Sequence, residues 1–310
     1  MKIDRIIEIP SELGAGTRGA SLGINALKLS AAEKGLTFLA NVPQQKVEDE
    51  NDLLFKPSLP ENAHYIRGIY TVMSLAADVI SDACKLTDSM LILTGDHSNA
   101  IATLAGIRKT RPNDRLGVIW IDAHADMHTP FTSPSGNIHG MPLAASLGFD
   151  NKECMRREPK ELSKEYWEKL KNIGGINPKI LPDDLVFLGL RSFEVEEEFL
   201  LKKYDIARYD TGDIRKMGFG PCIAKTLEHL RHCDRIHISF DVDSMDPAVS
   251  RGTGTPVEGG LFPDEVIELL KGLSSDERVR TLEITEINPL LDNQNKMART
   301  VLQILTEVIK

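Results

Sequence analysis

The sequence has few cysteines, few aromatic residues and no long apolar segment. The cysteines among its 310 residues are Cys84, Cys154, Cys222 and Cys233. None of them forms a C-x-x-C pair, and four in a chain of this length do not make a disulfide framework, so we expect free thiols in a reduced, cytoplasmic protein. No apolar run approaches the roughly 18 residues of a membrane span, and the N-terminal apolar stretch is too short for a signal peptide.

Acidic residues outnumber basic ones. The chain carries 37 Lys and Arg against 46 Asp and Glu, a formal net charge of −9. The densest basic stretch, "CMRREPK" at 154–160, is short and flanked by acidic residues. Because binding to a nucleic-acid backbone needs clustered Lys and Arg, we do not expect that partner. With 41% hydrophobic and 27% charged residues the composition is that of a globular protein, and we expect one domain over residues 1–310.

The chain alternates between short apolar segments and longer segments with helical character. We predict strands at 5–9, 36–42, 90–94, 116–122, 185–190, 206–210, 235–242 and 279–285. We predict helices near 20–34, 64–86, 98–109, 159–173, 194–204, 219–232, 263–273 and 294–309. Residues 43–63 are typical of a long surface connection. The alternation predicts an α/β fold, a three-layer α-β-α sandwich with a central, mostly parallel eight-stranded sheet.

Clusters of acids and histidines follow four of the predicted strands. They are "GDHS" (95–98), "DAHADMH" (122–128), "DVDSMDP" (241–247) and "TEINP" (285–289). In an open α/β sheet, functional groups collect beyond the carboxyl ends of the strands. The sequence therefore predicts that these four clusters meet at one edge of the sheet.

The spacing within two of these clusters suits metal ligation. Residues two apart in an extended segment share a face, as Asp122, His124 and Asp126 do, and as Asp241 and Asp243 do. With His97 they make four carboxylates and two imidazoles, a set that favours an oxygen-preferring ion such as Mn²⁺ over tetrahedral zinc. Four carboxylates suit two ions, which can together lower the pKa of a shared water. Each residue alone could be a capping aspartate or a core histidine, but their joint placement favours a metal centre.

Three other motifs carry less weight. "GAGTRG" (14–19) matches the G-x-G-x-x-G pattern of dinucleotide-binding proteins, but no acidic residue ends the next predicted strand to hold a ribose. The segment from Asp241 to Gly252 lacks the central glycine and the final glutamate of an EF-hand. "GDHSN" has no G-x-S-x-G context, which argues against a serine hydrolase.

The chain resembles the ureohydrolases, the family of arginases and agmatinases. The matching segments are "GDHSNA", "DAHADMHTP", "SGNIHGMPLA", "SFDVDSMDPAVSRGTGTPVEGG" and "EITEINP". Within the family, "SPSGNIHGMP" and "GTGTPVEGG" are most similar to arginases. The resemblance implies a hydrolase with two Mn²⁺ per subunit, which cleaves a guanidino group to urea and an amine by attack of metal-bound hydroxide. L-Arginine, giving L-ornithine, is the expected substrate.

The resemblance also implies a set of metal ligands. One manganese would be held by His97, Asp122, Asp126 and Asp241, and the other by His124, Asp122, Asp241 and Asp243. Asp122 and Asp241 would bridge the two ions. Asp246 would shape the adjoining turn through hydrogen bonds.

Catalytic roles follow from the same resemblance. Glu286 matches the residue that binds the guanidinium group, and a carboxylate suits a planar cation with two donors. His139 matches the residue proposed to carry a proton to the leaving amine, a task that suits imidazole near neutral pH. Asp126 would accept a proton from the attacking hydroxide.

The expected substrate-binding residues include Thr255 near the guanidinium group, and Ser135 and Asn137 at the amino-acid end of the substrate. Two further residues, His128 and Glu194, depart from the arginase pattern. Arginases usually have Asn where this chain has His128, and Asp where it has Glu194. His128 could still bind a carboxylate, whereas the longer Glu194, with Glu197 as the other acid of that segment, could shorten the usable substrate. Both departures concern which guanidino compound is cleaved and not the cleavage itself.

The sequence also allows other functions. A different ureohydrolase specificity is one, with agmatine, guanidinobutyrate, another guanidino acid or formiminoglutamate as substrate. A zinc amidohydrolase of the deacetylase kind is another, and it would need only one ion. A metal-stabilised binding or regulatory protein is a third. The family resemblance further implies a homo-oligomer, a trimer or a hexamer. Without a long apolar run, we expect no membrane partner.

Overall fold

Short, almost wholly apolar segments form the central sheet in the computed structural model of the protein, which describes residues 1–58 and 60–309. The strands are β1 (Arg5–Ile9), β2 (Gln44–Lys46), β3 (Met90–Thr94), β4 (Leu116–Ile121), β5 (Leu185–Leu188), β6 (Ala207–Tyr209), β7 (Arg235–Asp241) and β8 (Val279–Thr285). They lie in the order β2-β1-β3-β8-β7-β4-β5-β6, and each neighbouring pair is parallel. The predicted α/β fold with an eight-stranded sheet is confirmed.

Helices cover both faces of this sheet, as parallel strands require. They are α1 (Gly23–Glu33), α2 (Phe38–Asn41), α3 (Ile66–Cys84), α4 (Ala100–Thr110), α5 (Pro142–Leu147), α6 (Glu161–Lys171), α7 (Val195–Lys203), α8 (Thr211–Met217), α9 (Phe219–His229), α10 (Pro263–Leu273) and α11 (Lys296–Val308). Among the residues that the structure describes, no helix combines the length and the apolar character needed to cross a membrane.

The core is divided into two layers because side chains alternate along each strand. On β1, Ile7 and Ile9 belong to the layer that packs against α3 to α7, whereas Ile6 points to the layer of α1 and α8 to α11. On β3, Ile92 and Leu91 divide in the same way. Both layers are apolar, so the strands lack the polar alternation of a sheet that faces water.

The strand predicted at 36–42 is wrong. Phe38–Asn41 form a single helical turn, α2, in which Leu39 is buried in the layer beside α1. The edge strand is instead β2, whose residues are all exposed, so no apolar pattern could reveal it. Part of the predicted surface connection at 43–63 therefore belongs to the sheet. Two short helices, α5 and α8, also form where no helix was predicted.

The four polar clusters lie at the same edge of the sheet. β3, β8, β7 and β4 are consecutive neighbours, and each is followed directly by one of the clusters. The parallel arrangement therefore brings together chain segments that are up to about 190 residues apart, as in the contact between His97 and Glu286.

Candidate metal centre

One group of ligand atoms converges on His97, which follows β3. Its Nδ1 lies 3.0 Å from Asp122 Oδ2, 3.0 Å from Asp126 Oδ2 and 3.2 Å from Asp241 Oδ2. The side chains of His97 and Asp122 are 2% and 1% exposed, so these charged groups are almost fully withdrawn from water. Two of the three carboxylates follow β4, and the third, Asp241, is on the last residue of β7.

A second group lies beside the first and shares Asp122 with it. His124 Nδ1 is 3.0 Å from Asp243 Oδ2 and 3.6 Å from Asp122 Oδ1. Asp122 thus turns one carboxylate oxygen toward His97 and the other toward His124. The local backbone holds this arrangement, because the N–H of His124 donates to Asp122 Oδ1 at 2.7 Å and the N–H of Asp243 donates to Asp241 Oδ1 at 2.7 Å.

Backbone strain coincides with the site. Asp126 has φ +52° and Glu286 has φ +65°, in the left-handed region that costs a non-glycine residue free energy. Such strain persists only where the surrounding structure maintains it, and it concentrates at functional sites. In both cases it turns a carboxylate toward the same edge of the sheet.

The electrostatics of the two groups fit divalent cations. Burial, together with repulsion from Asp122, raises the pKa of Asp126 to about 6. Burial and the carboxylates of Asp243 and Asp122 raise the pKa of Asp241 well above its usual range. No Lys or Arg is among the described residues that line the adjoining cavity. A bound cation would remove this repulsion.

Two buried polar atoms also fit a bound ion. His97 Nδ1 and Asp122 Oδ2 lack a hydrogen bond of normal geometry, although each faces the other across 3.0 Å. Buried polar atoms without partners are rare and indicate an ion or a water. The residues present therefore fit two oxygen-preferring metal ions, with the two groups as separate binding positions.

Two residues that the sequence analysis did not single out support His97. Its Nε2 lies 2.8 Å from Ser239 Oγ, and its ring stacks on Trp120 with centroids 4.0 Å apart and an interplanar angle of 6°. A hydrogen bond at one ring nitrogen fixes which nitrogen is free to bind a metal, here Nδ1. Ser239 could have been found from sequence, because it alternates with Asp241 on β7.

The two groups open into a cavity of about 80 Å³. It is lined by His97, His124, Asp126, His128, His139, Gly140, Glu194, Glu197, Asp241, Asp243 and Thr255. Most of the predicted site residues therefore lie together. Thr255 Oγ1 donates a hydrogen bond to Asp243 Oδ2 at 3.0 Å, which ties this loop to the second ligand group.

Besides the buried Asp122, three predicted residues lie behind or beside the cavity wall: Glu286, Ser135 and Asn137. Glu286 is buried, and its Oε1 accepts a hydrogen bond from the N–H of His97 at 3.0 Å and lies 3.1 Å from His139 Nδ1. Burial disfavours protonation of His139, but the hydrogen bond and charge of Glu286, together with the charges of Asp96 and Asp126, outweigh burial and raise the pKa of His139 to about 9. Ser135 is exposed and Asn137 half-buried, on the loop that leads to His139.

At the outer end of the cavity, His128 and Glu194 are hydrogen bonded to each other. His128 Nε2 lies 2.8 Å from Glu194 Oε2, and His128 Nδ1 lies 3.2 Å from Thr132 Oγ1. The buried Glu197 accepts hydrogen bonds from the N–H of Met127 at 3.0 Å and from the N–H of Glu194 at 3.1 Å. Both ring nitrogens of His128 therefore have protein partners.

Asp246 lies outside the cavity, at the turn after β7. Its carboxylate accepts the N–H groups of Ala248, Gly259 and Gly260 at 2.8, 2.8 and 3.1 Å. These bonds hold the turn after β7 against the loop that contains Thr255. The geometry is that of a turn-shaping residue.

Several arginases are similar to this chain in sequence and in fold. Residues 4–310 match the profile of the Arginase family. An arginase of Brevibacillus brevis is 34% identical over 310 residues, which cover 98% of this chain and 96% of that protein. The solved arginase of Bacillus caldovelox is 32% identical with a TM-score of 0.84, covering 99% of this chain and 98% of the other. The solved Entamoeba histolytica arginase in complex with L-ornithine is 28% identical with a TM-score of 0.85, covering 99% of both chains.

Proposed function

Since this chain belongs to the arginase family, we propose that it is a binuclear manganese hydrolase that converts L-arginine and water to L-ornithine and urea. The observation that carries the proposal is the shared carboxylate of Asp122, whose two oxygens face two different histidines. A single-ion site would not need the second group. A solved relative that binds L-ornithine supports this choice of product.

The ligand set is proposed as His97, Asp122, Asp126 and Asp241 for one Mn²⁺ and His124, Asp122, Asp241 and Asp243 for the other. Two such ions supply Lewis acidity and lower the pKa of water toward neutrality. The carboxylate-rich set matches the preference of Mn²⁺, whereas a tetrahedral zinc site prefers nitrogen and sulfur.

The chain's own groups would move the protons. Asp126, whose carboxylate lies 3.0 Å from His97 Nδ1 in the first ligand group, would accept a proton from the attacking hydroxide. His139 reaches the cavity beside Glu286 and can give a proton to the departing amine. Glu286, whose Oε1 is engaged by the N–H of His97 and by His139, would bind the guanidinium group by turning its second carboxylate oxygen into the cavity. Thr255 would help to position that group.

The outer residues would recognise the rest of the substrate. Glu194 and Glu197 would accept hydrogen bonds from an ammonium group, and Ser135 and Asn137 would donate to a carboxylate. His128 would join them only after release from Glu194. The paired state of His128 favours, as a second candidate, a guanidino substrate without the α-carboxylate of arginine.

The test is a panel of arginine, agmatine, guanidinobutyrate, guanidinopropionate, formiminoglutamate and guanidine with added Mn²⁺. We expect urea mainly from arginine, and two manganese ions per chain by metal analysis. Activity on another guanidino compound alone would replace arginine as substrate but keep the reaction class. One zinc per chain would contradict the binuclear centre. Unchanged turnover in both His139→Ala and Asp126→Asn would contradict the proton-transfer scheme.

The remaining expectations are a homo-oligomer, as a trimer or hexamer, a cytoplasmic location and a single catalytic domain over residues 1–310. They remain predictions. Light scattering of the purified protein tests the oligomeric state directly.

A further inference from the structure

Arg191 follows β5 and lies outside every motif discussed above. Its guanidinium group donates to four backbone carbonyls: Nε to Glu258 O at 3.1 Å, Nη1 to Gly189 O at 3.0 Å, and Nη2 to Asp243 O at 2.9 Å and Val257 O at 2.8 Å. No carboxylate is among these partners. A guanidinium group is planar and presents donors in fixed directions, so this set of bonds defines the positions of three chain segments.

Two of those segments carry proposed site residues. Asp243 belongs to the second ligand group, and Val257 and Glu258 belong to the loop that contains Thr255. Thr255 Oγ1 is itself hydrogen bonded to Asp243 Oδ2. The guanidinium group therefore holds the backbone on both sides of that bond.

The main chain of Arg191 reaches the other half of the same group. The N–H groups of Arg191 and Ser192 both donate to Ala123 O, at 3.0 and 2.8 Å. Ala123 lies between Asp122 and His124, and its own N–H donates to Asp243 Oδ1 at 3.3 Å. Backbone and side chain of one residue thus connect the two chain segments that carry Asp122, His124 and Asp243.

Apart from the shared Asp122, the first ligand group has no such connection to Arg191. His97 is held by Ser239, Trp120 and Glu286, and none of the hydrogen bonds of Arg191 reaches it. The ligands that the two metal positions do not share are therefore supported by different residues, which allows the positions to be separated by mutation.

We propose that Arg191 is a positioning residue that sets the geometry of the second metal position, formed by Asp122, His124 and Asp243, and of the substrate loop around Thr255. The inference rests on the proposed manganese centre. It acts through backbone placement, because the guanidinium group touches carbonyl oxygens and not the ligand side chains.

The experiment measures Mn²⁺ binding by calorimetry or chelator competition in the wild-type protein, Arg191→Lys and Arg191→Met. The two binding steps are assigned with Asp126→Asn and His124→Asn. We expect both Arg191 variants to bind one of the two ions about 10 to 100 times more weakly, the loss typical of an outer-shell partner. The step assigned to His97 and Asp126 should be unchanged.

The two substitutions distinguish placement from charge. Lysine keeps the positive charge but cannot reach four carbonyls in one plane. If Arg191 acted only through its charge, Arg191→Met would bind Mn²⁺ more tightly because a nearby cation is removed, and Arg191→Lys would match the wild type. Either result overturns the proposal.

A second readout follows the substrate loop. At saturating Mn²⁺, we expect urea formation by Arg191→Lys to recover most of its kcat while KM stays raised, because Thr255 is no longer held. The matched control is Arg215→Lys. Arg215 donates to Gly260 O at 2.8 Å on the outer side of the same loop, but makes no bond to a ligand segment.

The outcomes remain separable from failure of the proposed function. A wild-type protein without Mn²⁺ binding would remove the metal centre itself. A wild-type protein with two ions and equal weakening of both steps in the Arg191 variants would overturn the specific role of Arg191. Circular dichroism and melting curves identify a variant that has not folded, and the unchanged first step serves as an internal control.

Discussion

The two ends of the strands in the sheet carry similar residues in different electrostatic settings. We call the end where the strands finish the carboxyl edge and the end where they begin the amino edge. At the carboxyl edge, His97, Asp122 and Asp126 lie close together without a lysine or arginine at the cavity wall. At the amino edge, Asp184, His232 and Cys233 form another cluster of metal-capable side chains. Residue types alone do not distinguish the two clusters.

The difference is an arginine. Arg115 Nε donates to both oxygens of Asp184, at 2.7 and 3.0 Å, and His232 Nε2 lies 2.8 Å from Oδ1. One buried carboxylate therefore already has a protein cation and several donors. At the carboxyl edge the carboxylates outnumber the imidazoles and repel one another. A buried acidic cluster becomes a candidate metal site where no lysine or arginine pairs directly with its carboxylates.

The largest expected effect is at the carboxyl edge. Asp241→Asn should lower urea formation by about 100-fold or more, since even outer-shell partners contribute 10- to 100-fold to metal sites. Without metal, the same variant should unfold at a higher temperature, because one repelling carboxylate is gone. Assays with Mn²⁺ and melting curves in EDTA measure the two effects. Asp184→Asn should keep its activity per folded molecule, and equal loss in both variants would contradict the distinction between the edges.

Removal of the balancing cation should destabilise the amino edge. Arg115→Met leaves the buried Asp184 with fewer donors, and we expect the free energy of unfolding to fall by about 3 kcal/mol. Activity of the folded enzyme should stay the same. Urea denaturation measures the change. Arg231→Met is the control, since Arg231 pairs with Glu228 at the exposed surface and should change stability by less than about 1 kcal/mol. Equal effects would mean that burial of Asp184 is unimportant.

Lys179 is a third electrostatic case, a buried lysine that has no acidic partner. Its Nζ donates to Leu170 O at 3.2 Å and Lys171 O at 2.7 Å, at the end of α6. Burial, with a smaller effect of Lys171, lowers its pKa from 10.5 to about 7. Between these values the unfolded chain binds the proton and the folded protein does not, so stability rises with pH in that window.

Lys179→Met should remove this dependence. The wild-type protein should gain at most about 1.4 kcal/mol per pH unit between pH 7 and 10 relative to the variant. Denaturant unfolding at several pH values measures the difference. Lys169→Met, at a half-buried position on α6, should keep the wild-type dependence. Parallel pH profiles of wild type and Lys179→Met would show that Lys179 stays charged.

The smallest expected effect is on metal content at the amino edge. His232→Gln and Cys233→Ser should leave two manganese ions per chain, because Arg115 already occupies the carboxylate that a metal would need. Elemental analysis after dialysis measures the ratio. Loss of an ion from either variant would identify the amino edge as a metal site.

Strands buried on both sides were easy to predict from sequence, and exposed ones were not. β3 and β4 were predicted within one residue of their observed ends because they are continuous apolar runs. β2 consists of "QQK", and only pairing with β1 makes it a strand. The apolar segment at 36–42 was predicted as a strand, but burial of Leu39 beside α1 is satisfied by a helical turn.

The candidate ligands were readable because chemistry and position coincide in the sequence. Asp122, His124 and Asp126 alternate directly after β4, and Asp241 and Asp243 alternate from the last residue of β7 onward. Residues whose function depends on partners distant in sequence gave no such signal. Arg191 has no motif of its own, and its four carbonyl partners include residues 52 and 66 positions away.

By itself, the sequence determined the layered fold, the edge of the sheet where the acids and histidines meet, and the types of atom offered to a metal. These depend on local periodicity and on the common direction of parallel strands. Only the tertiary structure decided that Asp122 divides its two oxygens between His97 and His124, that His128 is paired with Glu194, and that Asp184 is balanced by Arg115. Those outcomes depend on distances between distant segments, which packing sets and spacing along the chain does not.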